Sequence, residues 1–368
     1  MEVKKRPPAG CSQPKNHSIL YFTQTIEQRK QKRPPEKGGI ILKNKLISMQ
    51  EAVAQYTWDG MTFAHGGALP VGSDCIAFFR EMVRQGVKDV NLISNCNTQG
   101  SNLLAAAGGV ARMEVGFSGL EVYGFANGLK RAVESGKTIL EDYSNGGIPN
   151  RLFAGAMGWP FVPTFVSWGS DQQWCSADEP DAYPNTKKIP EIKCPFTGVT
   201  MGAMKALRPD VACIHVTMAD IYGNCIMLGT EWSRFELSRA AKKVVIQADY
   251  IVDTDCMRQF PNLVRIPDLV VDAVVYWPMG VWPACSTGVY DSDEEHMFYM
   301  NKMLKTEEGT GEYIEKYVKS YNTPEEYLEV IGKEKVNQLC NSVTNFLMDP
   351  YRKWIKSDAE IKELMGGK

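Results

Sequence analysis

The sequence predicts an α/β protein: an open, mostly parallel sheet with helices on both faces, followed by a helical C-terminal extension. Three observations lead there. Short apolar runs alternate with helical stretches from Met61 to Glu134, an order that builds parallel sheets. Asp210–Val216 and Val270–Tyr276 are strongly β-branched strand candidates. From about residue 312 the chain reads as charged helices with polar faces.

Composition bounds the function. The 368 residues carry 41 basic and 43 acidic side chains, a net charge of −2, with 44% apolar and 23% charged residues. That is an ordinary globular balance with a large core, in one large or two ordinary domains. It offers no field for holding nucleic acid. Ten cysteines contain no CxxC pair, and His17, His65, His215 and His296 are too scattered for a local zinc module. The pattern predicts free thiols in a reduced, cytoplasmic protein. No apolar run reaches the ~20 residues of a membrane span, and the N-terminus lacks the apolar stretch of a secretory signal.

Residues 1–45 hold eleven Lys or Arg against three Glu and are broken by Pro7, Pro8, Pro34 and Pro35. They read as a basic extended arm, either solvated, strapped over a partner, or touching nucleic acid. The compact domain spans 46–311. Ser48-Met-Gln-Glu51 is a capping box, opening a helix that Gly60 should close. Met61–His65 predicts a buried strand, Gly66-Gly67 a turn, and Asp74–Gln85 a helix ended by Gly86. Asp89–Ser94 predicts a second strand, with Asn95-Cys96-Asn97 at its carboxyl end. Helices near Leu103–Ala107 and Asn127–Glu134 flank a short apolar piece at Arg112–Val115. Residues 168–208 lack periodicity and read as a long, lid-like excursion. Residues 312–368 form the helical extension.

Ser135-Gly136-Lys137-Thr138 resembles the end of a phosphate loop, but Arg131 stands where that loop needs glycine, so nucleotide binding is set aside. The stronger signal is Asp59–Gly72. Paired glycines after a buried strand let backbone N–H groups approach a ligand, as an oxyanion cradle would. A purely structural turn is the competing reading. Gly66-Gly67 and Ser94-Asn95 fall at strand carboxyl ends, where parallel sheets bind ligands.

Asp59-Gly60…Gly66-Gly67-Ala68…Gly72 resembles the signature of class I coenzyme A-transferase A (alpha) subunits. Leu92–Asn95, Gly136–Ser144, Leu152–Pro163, Pro209–Asn224 and Ile266–Asp291 match in the same order, closest in look to glutaconate-type A subunits. The family's aliphatic residue before the glycines is His65 here, and its Phe after them is Ala68. A common proline is Asp74, and Gly-Ala-His-Pro becomes Gly280-Val281-Trp282-Pro283.

The resemblance implies a CoA-transferase-like fold and transfer of CoA from an acyl-CoA to a carboxylic acid. It implies a B-type partner in a hetero-oligomer carrying the nucleophilic glutamate, and no permanently bound cofactor or metal. The resemblance also implies a CoA thioester as substrate. Gly66, Gly67 and Ala68 are then the expected oxyanion cradle, with His65, Ser94, Asn95 and Asn145 as substrate-binding candidates. His65 is alternatively a hydrogen-bonded buried imidazole. Two other readings remain: a ring-cleaving hydrolase on the same scaffold, whose relatives carry Glu near Asn145, and a non-catalytic scaffold protein.

Overall fold

The computed structural model describes residues 43–67, 72–181 and 183–366. Ser48 Oγ accepts the Glu51 N–H (3.1 Å), and Glu51 Oε2 accepts the Ser48 N–H (3.2 Å), so the capping box opens helix α1, Met49–Tyr56. The helix stops four residues short of Gly60, because Thr57 is already extended. Sheet pairing already includes Lys45, just before the expected boundary at residue 46. Val274 N–H donates to the Lys45 carbonyl at 2.8 Å, and Ile47 N–H to the Val274 carbonyl at 2.9 Å. Lys45 thus joins the sheet edge instead of the arm; residues 1–42 of the arm lie outside the described residues.

The first half alternates as expected. Strand β1 is Thr62–His65, followed by α2, Ile76–Arg84; then β2, Val90–Cys96, and α3, Gln99–Ala106. Next come β3, Val110–Phe117, α4, Asn127–Glu134, β4, Ile139–Asp142, and α5, Gly147–Ala156. Further along are β8, Val211–Ala219, β10, Lys243–Ile251, and β12, Ala273–Tyr276. These seven strands lie parallel in the order β12-β10-β8-β1-β2-β3-β4. Two short strands, β9 at Cys225–Ile226 and β11 at Val264–Ile266, extend the sheet by antiparallel pairing at the end of β8. Both faces are covered. Phe63 packs with Phe78 and Phe79 on the face of α1–α4, and Ala64 with Ile148 and Leu152 on the face of α5. All nine residues of β8 are buried, as expected for a doubly covered parallel strand.

Two features differ from expectation. The stretch around 168–208 is not wholly irregular: β5 (Phe161–Thr164), β6 (Glu191–Lys193) and β7 (Thr200–Lys205) form a separate antiparallel sheet, order β5-β7-β6. β5 and β6 are short and little buried, and the buried middle of β7 is a run of Gly202, Ala203 and Met204, so the three carry little alternating apolar signal. The sequence reading also missed β10, a central strand, because Gln247 and Asp249 interrupt its apolar run. Both are buried and bonded. Gln247 Oε1 accepts the Phe78 N–H (3.1 Å), and Asp249 is hydrogen-bonded to His215 (2.8 Å), Ser286 (2.6 Å) and Tyr290 (3.3 Å).

Two glycines separate packing from propensity. A Cβ on Gly155, in α5, would lie 1.9 Å from the Leu207 carbonyl oxygen, whereas Gly311 in an exposed helix has open space. Gly155→Ala should destabilise by about 1–3 kcal/mol through overpacking. Gly311→Ala should stabilise by about 1 kcal/mol. Urea unfolding of the two variants checks both signs.

Candidate active site

Neighbour order reverses at β1. The chain steps outward from it through β2, β3 and β4, while β8, on its other side, leads to β10 and β12. Ligands in open parallel sheets bind at such switch points, at the strand carboxyl ends. Here β1 ends in His65-Gly66-Gly67, and the cleft is walled by Asn95 from β2, Ile148 and Leu152 from α5, and Trp232, Ser233 and Leu237. Its free volume is only about 10 Å³, room for roughly one water. Trp232, Ser233 and Leu237 were not singled out from sequence. Trp232 has φ +50°, a strained backbone for an aromatic residue and the kind of outlier that gathers at functional sites.

The glycines serve close approach, not left-handed backbone; neither has a positive φ. A Cβ on Gly66 would meet Arg234 Cγ at 2.6 Å, and one on Gly67 would meet Asp74 Cα at 3.0 Å and His65 Nδ1 at 3.1 Å. Arg234 is buried beneath the turn and donates to the carbonyls of His215 (2.9 Å), Glu231 (3.0 Å) and Thr230. The expected cradle therefore needs correction. The Gly66 N–H is taken by the Cys213 carbonyl at 3.1 Å, as a ladder bond to β8. The Gly67 N–H donates to His65 Nδ1 at 3.3 Å. Ala68 lies outside the described residues.

His65 is the hub. Because Nδ1 accepts from Gly67, the ring proton sits on Nε2 and faces Ser94 Oγ at 2.8 Å; the Ser94 hydroxyl in turn donates to the Cys96 carbonyl. The ring packs edge-on against Phe79 at 5.2 Å, and burial pulls its pKa down to about 3, so it is neutral at pH 7. Asp74 Oδ1 stands 3.9 Å from Nδ1. Ser94, His65 and Asp74 thus occupy the order of nucleophile, base and orienting carboxylate. The proton placement is the reverse of what that chemistry needs, since Nε2 is the donor and cannot take the serine proton. Ser94 and His65 form a positioning pair, not part of a serine-hydrolase triad, and Asp74 Oδ1 makes no hydrogen bond to the ring.

Of the sequence candidates, His65, Gly66, Gly67, Ser94 and Asn95 come together. Asn145 follows β4, two strands from β2, and its Oδ1 accepts from Cys96 Sγ at 3.4 Å, outside the cleft lining. The carboxyl ends also gather unpaired polar atoms: Asp74 Oδ1, Asn95 Oδ1, Asn97 Nδ2 and Gln99 Oε1 are buried without hydrogen-bond partners. Each such group costs about 1–3 kcal/mol when left unmet. Among the described residues no cluster of metal-ligating side chains forms, and no helix is long and apolar enough to cross a membrane.

Asp74 has a testable consequence. Burial raises its carboxyl to about 6, against hydrogen bonds from Gly100, Thr98 and Cys75 that favour the anion. A folded pKa above the unfolded one stabilises the protein fully at acid pH, and that gain is lost as pH rises through about 6. Asp74→Asn, which cannot ionise, should therefore gain stability relative to wild type between pH 4 and pH 8. The expected change is about 2–3 kcal/mol. Urea unfolding across that range tests it.

The comparisons with known proteins agree with this architecture. The Coenzyme A transferase family profile matches residues 46–276. The chain is 28% identical over 297 residues to the A subunit of 3-oxoadipate CoA-transferase from Pseudomonas knackmussii, across 79% of this chain and 99% of that protein. It is 29% identical over 315 residues to the A subunit of glutaconate CoA-transferase from Acidaminococcus fermentans, across 80% and 94% respectively. The crystal structure of glutaconate coenzyme A-transferase from the latter organism superposes with a TM-score of 0.75 at 24% identity, over 86% of this chain and 99% of that one. A cholesterol ring-cleaving hydrolase IpdA subunit of Rhodococcus jostii is 26% identical over 287 residues, 75% of this chain and 92% of that protein. With a profile match over most of the sheet and this strand order, the protein belongs to the coenzyme A transferase family and is of its A-type.

Proposed function

We propose that the chain is the A-type component of a heteromeric CoA-transferase whose nucleophilic glutamate is supplied by a B-type partner. The observation that supports it most directly is the unfinished switch-point cleft. Asn95 in its wall keeps an unpaired amide oxygen, and the described lining residues include no carboxylate. In this reading the partner's glutamate attacks the thioester carbonyl, giving a mixed anhydride and CoA thiolate. The thiolate then attacks the glutamyl carbonyl, forming the enzyme thioester and releasing the first carboxylate. An acceptor carboxylate takes CoA by the reverse steps.

This chain contributes walls and dipoles. The Gly67 amide, held only by a 3.3 Å bond to imidazole, is the backbone donor placed to exchange that bond for the developing oxyanion. His65 stays neutral and fixes the turn through Ser94. Asn95 presents an unpartnered amide oxygen in the cleft.

Asn95 gives the sharper test, because no fold-supporting hydrogen bond is lost with its Oδ1. Asn95→Ala in the assembled complex should lower kcat/KM by about 10–10²-fold, equivalent to about 1.4–2.7 kcal/mol. Its melting temperature should be unchanged or slightly higher, since an unmet polar atom is removed. Two-step transfer kinetics that require the B-type chain, with glutamyl-CoA trapped on that partner, are the expected result. Hydrolysis of the thioester without transfer would move the protein to the ring-cleaving class, and full activity of this chain alone would end the reading.

A further inference from the structure

A larger cavity adjoins the cleft and shares Ile93 with it. It occupies about 680 Å³ beside the amino-terminal ends of β1 and β3, between the main sheet and the β5-β7-β6 sheet. That volume lies within the ~300–1000 Å³ of small-molecule sites. Six cationic and four acidic side chains line it, an excess of two positive charges.

Its floor is rigid and already neutralised. Glu141 is bound by Lys188 at 2.6 Å and Arg112 at 3.0 Å, and Arg151 holds Glu114 at 2.6 Å. Arg151 and Lys188 both lie over Tyr143, at 4.1 and 4.8 Å from its ring centroid. The mouth is different. Arg208 donates only to the Trp159 carbonyl among the described residues, and Lys205 has no side-chain partner among them.

The outer fork of Arg112 is filled by a carboxylate that has little reason to stay. Asp178 bridges both terminal nitrogens, at 2.5 and 3.2 Å, although its side chain is 66% exposed. An exposed pair of this kind contributes at most about 1 kcal/mol, whereas a guanidinium fork accepts phosphate in the same two-pronged geometry. Asp178 has the form of a displaceable stand-in.

We propose that this pocket binds a phosphorylated small molecule of nucleotide size, whose phosphate takes the Arg112 fork from Asp178 and is joined at the mouth by Lys205 and Arg208. The phosphorylated end of coenzyme A and a separate nucleotide share this chemistry.

Isothermal titration of the full-length chain with ADP and with coenzyme A at low ionic strength tests it. ADP should bind saturably, and Asp178→Asn should tighten binding about 3–10-fold by removing the competing carboxylate. The exposed pair Lys205→Glu/Arg208→Glu should weaken it at least about tenfold. Asn95→Ala should leave it unchanged, so failure here and failure of the transferase reading are separable. Coenzyme A competing with ADP at similar strength assigns the site to the coenzyme's phosphorylated end; ADP binding that coenzyme A does not displace assigns it to a separate nucleotide. Absence of saturable ADP binding to both wild type and Asp178→Asn overturns the proposal, as does an Asp178→Asn variant that binds no tighter.

Discussion

A guanidinium sealed away from water determines how helix α2 is joined to the C-terminal helices. Arg80, in the middle of α2, is fully buried and donates to Tyr327 Oη at 3.0 Å and Tyr313 Oη at 3.1 Å. It lies 4.9 Å from the Trp282 ring centroid and 5.7 Å from that of Tyr327. Burying a lone cation costs several kcal/mol unless partners compensate it; here the terminal nitrogens meet tyrosine hydroxyls and aromatic faces, while Nε has no hydrogen-bond partner. Those partners come from Glu307–Tyr317, Pro324–Ile331 and the loop after β12. The helices that read in sequence as a charged appendage therefore close over the same helix that begins beside Asp74. His296 shares the constraint: burial first, and then the nearby Arg80 charge, hold its pKa at about 2, so it serves as a neutral partner to Tyr313 at 3.1 Å.

The architecture was legible wherever local pattern and final environment coincide. Ser48-x-x-Glu51 forms its box, Asn127–Glu134 forms its helix with the expected bounds, and β1 and β2 lie where apolar runs place them. The carboxyl ends of β1 and β2, where the candidate cleft lies, could be placed for the same reason, since strand ends in a parallel sheet are read from alternation alone. The aromatic residues near 276–299 divide as side-chain packing dictates. Trp277, Trp282 and Tyr290 are buried in the core, and Phe298 and Tyr299 are exposed.

What stayed hidden depends on long-range pairing. In β10, buried Gln247 and Asp249 look like loop residues until Phe78, His215, Ser286 and Tyr290 are brought to them. Gly66 looks like a ligand cradle until Arg234, 168 positions later, is found passing beneath it. Nothing near Gly66 announces that arginine. Trp232 likewise shows its strained backbone only once the chain is folded.

Buried polar groups are met unevenly in this fold, with unpaired atoms in the core at His215 and Gln247 as well as near the switch point. Asp220 is a buried carboxylate with every need supplied: its Oδ1 accepts N–H groups of Tyr222, Gly223 and Asn224, and its Oδ2 the Asn224 side chain. Asp249 is met by three side chains. Both lie within the fold and stabilise it. Asp74, Asn95, Asn97 and Gln99 lie within 26 positions of one another at the carboxyl ends of β1 and β2, and each keeps an unpaired atom. A chain that satisfies Asp220 four times over does not lack the means to satisfy them. Their cost is carried by the packed cores on the two faces of the sheet; on the proposed reading, a partner or a substrate offsets it by bringing donors and acceptors to these atoms.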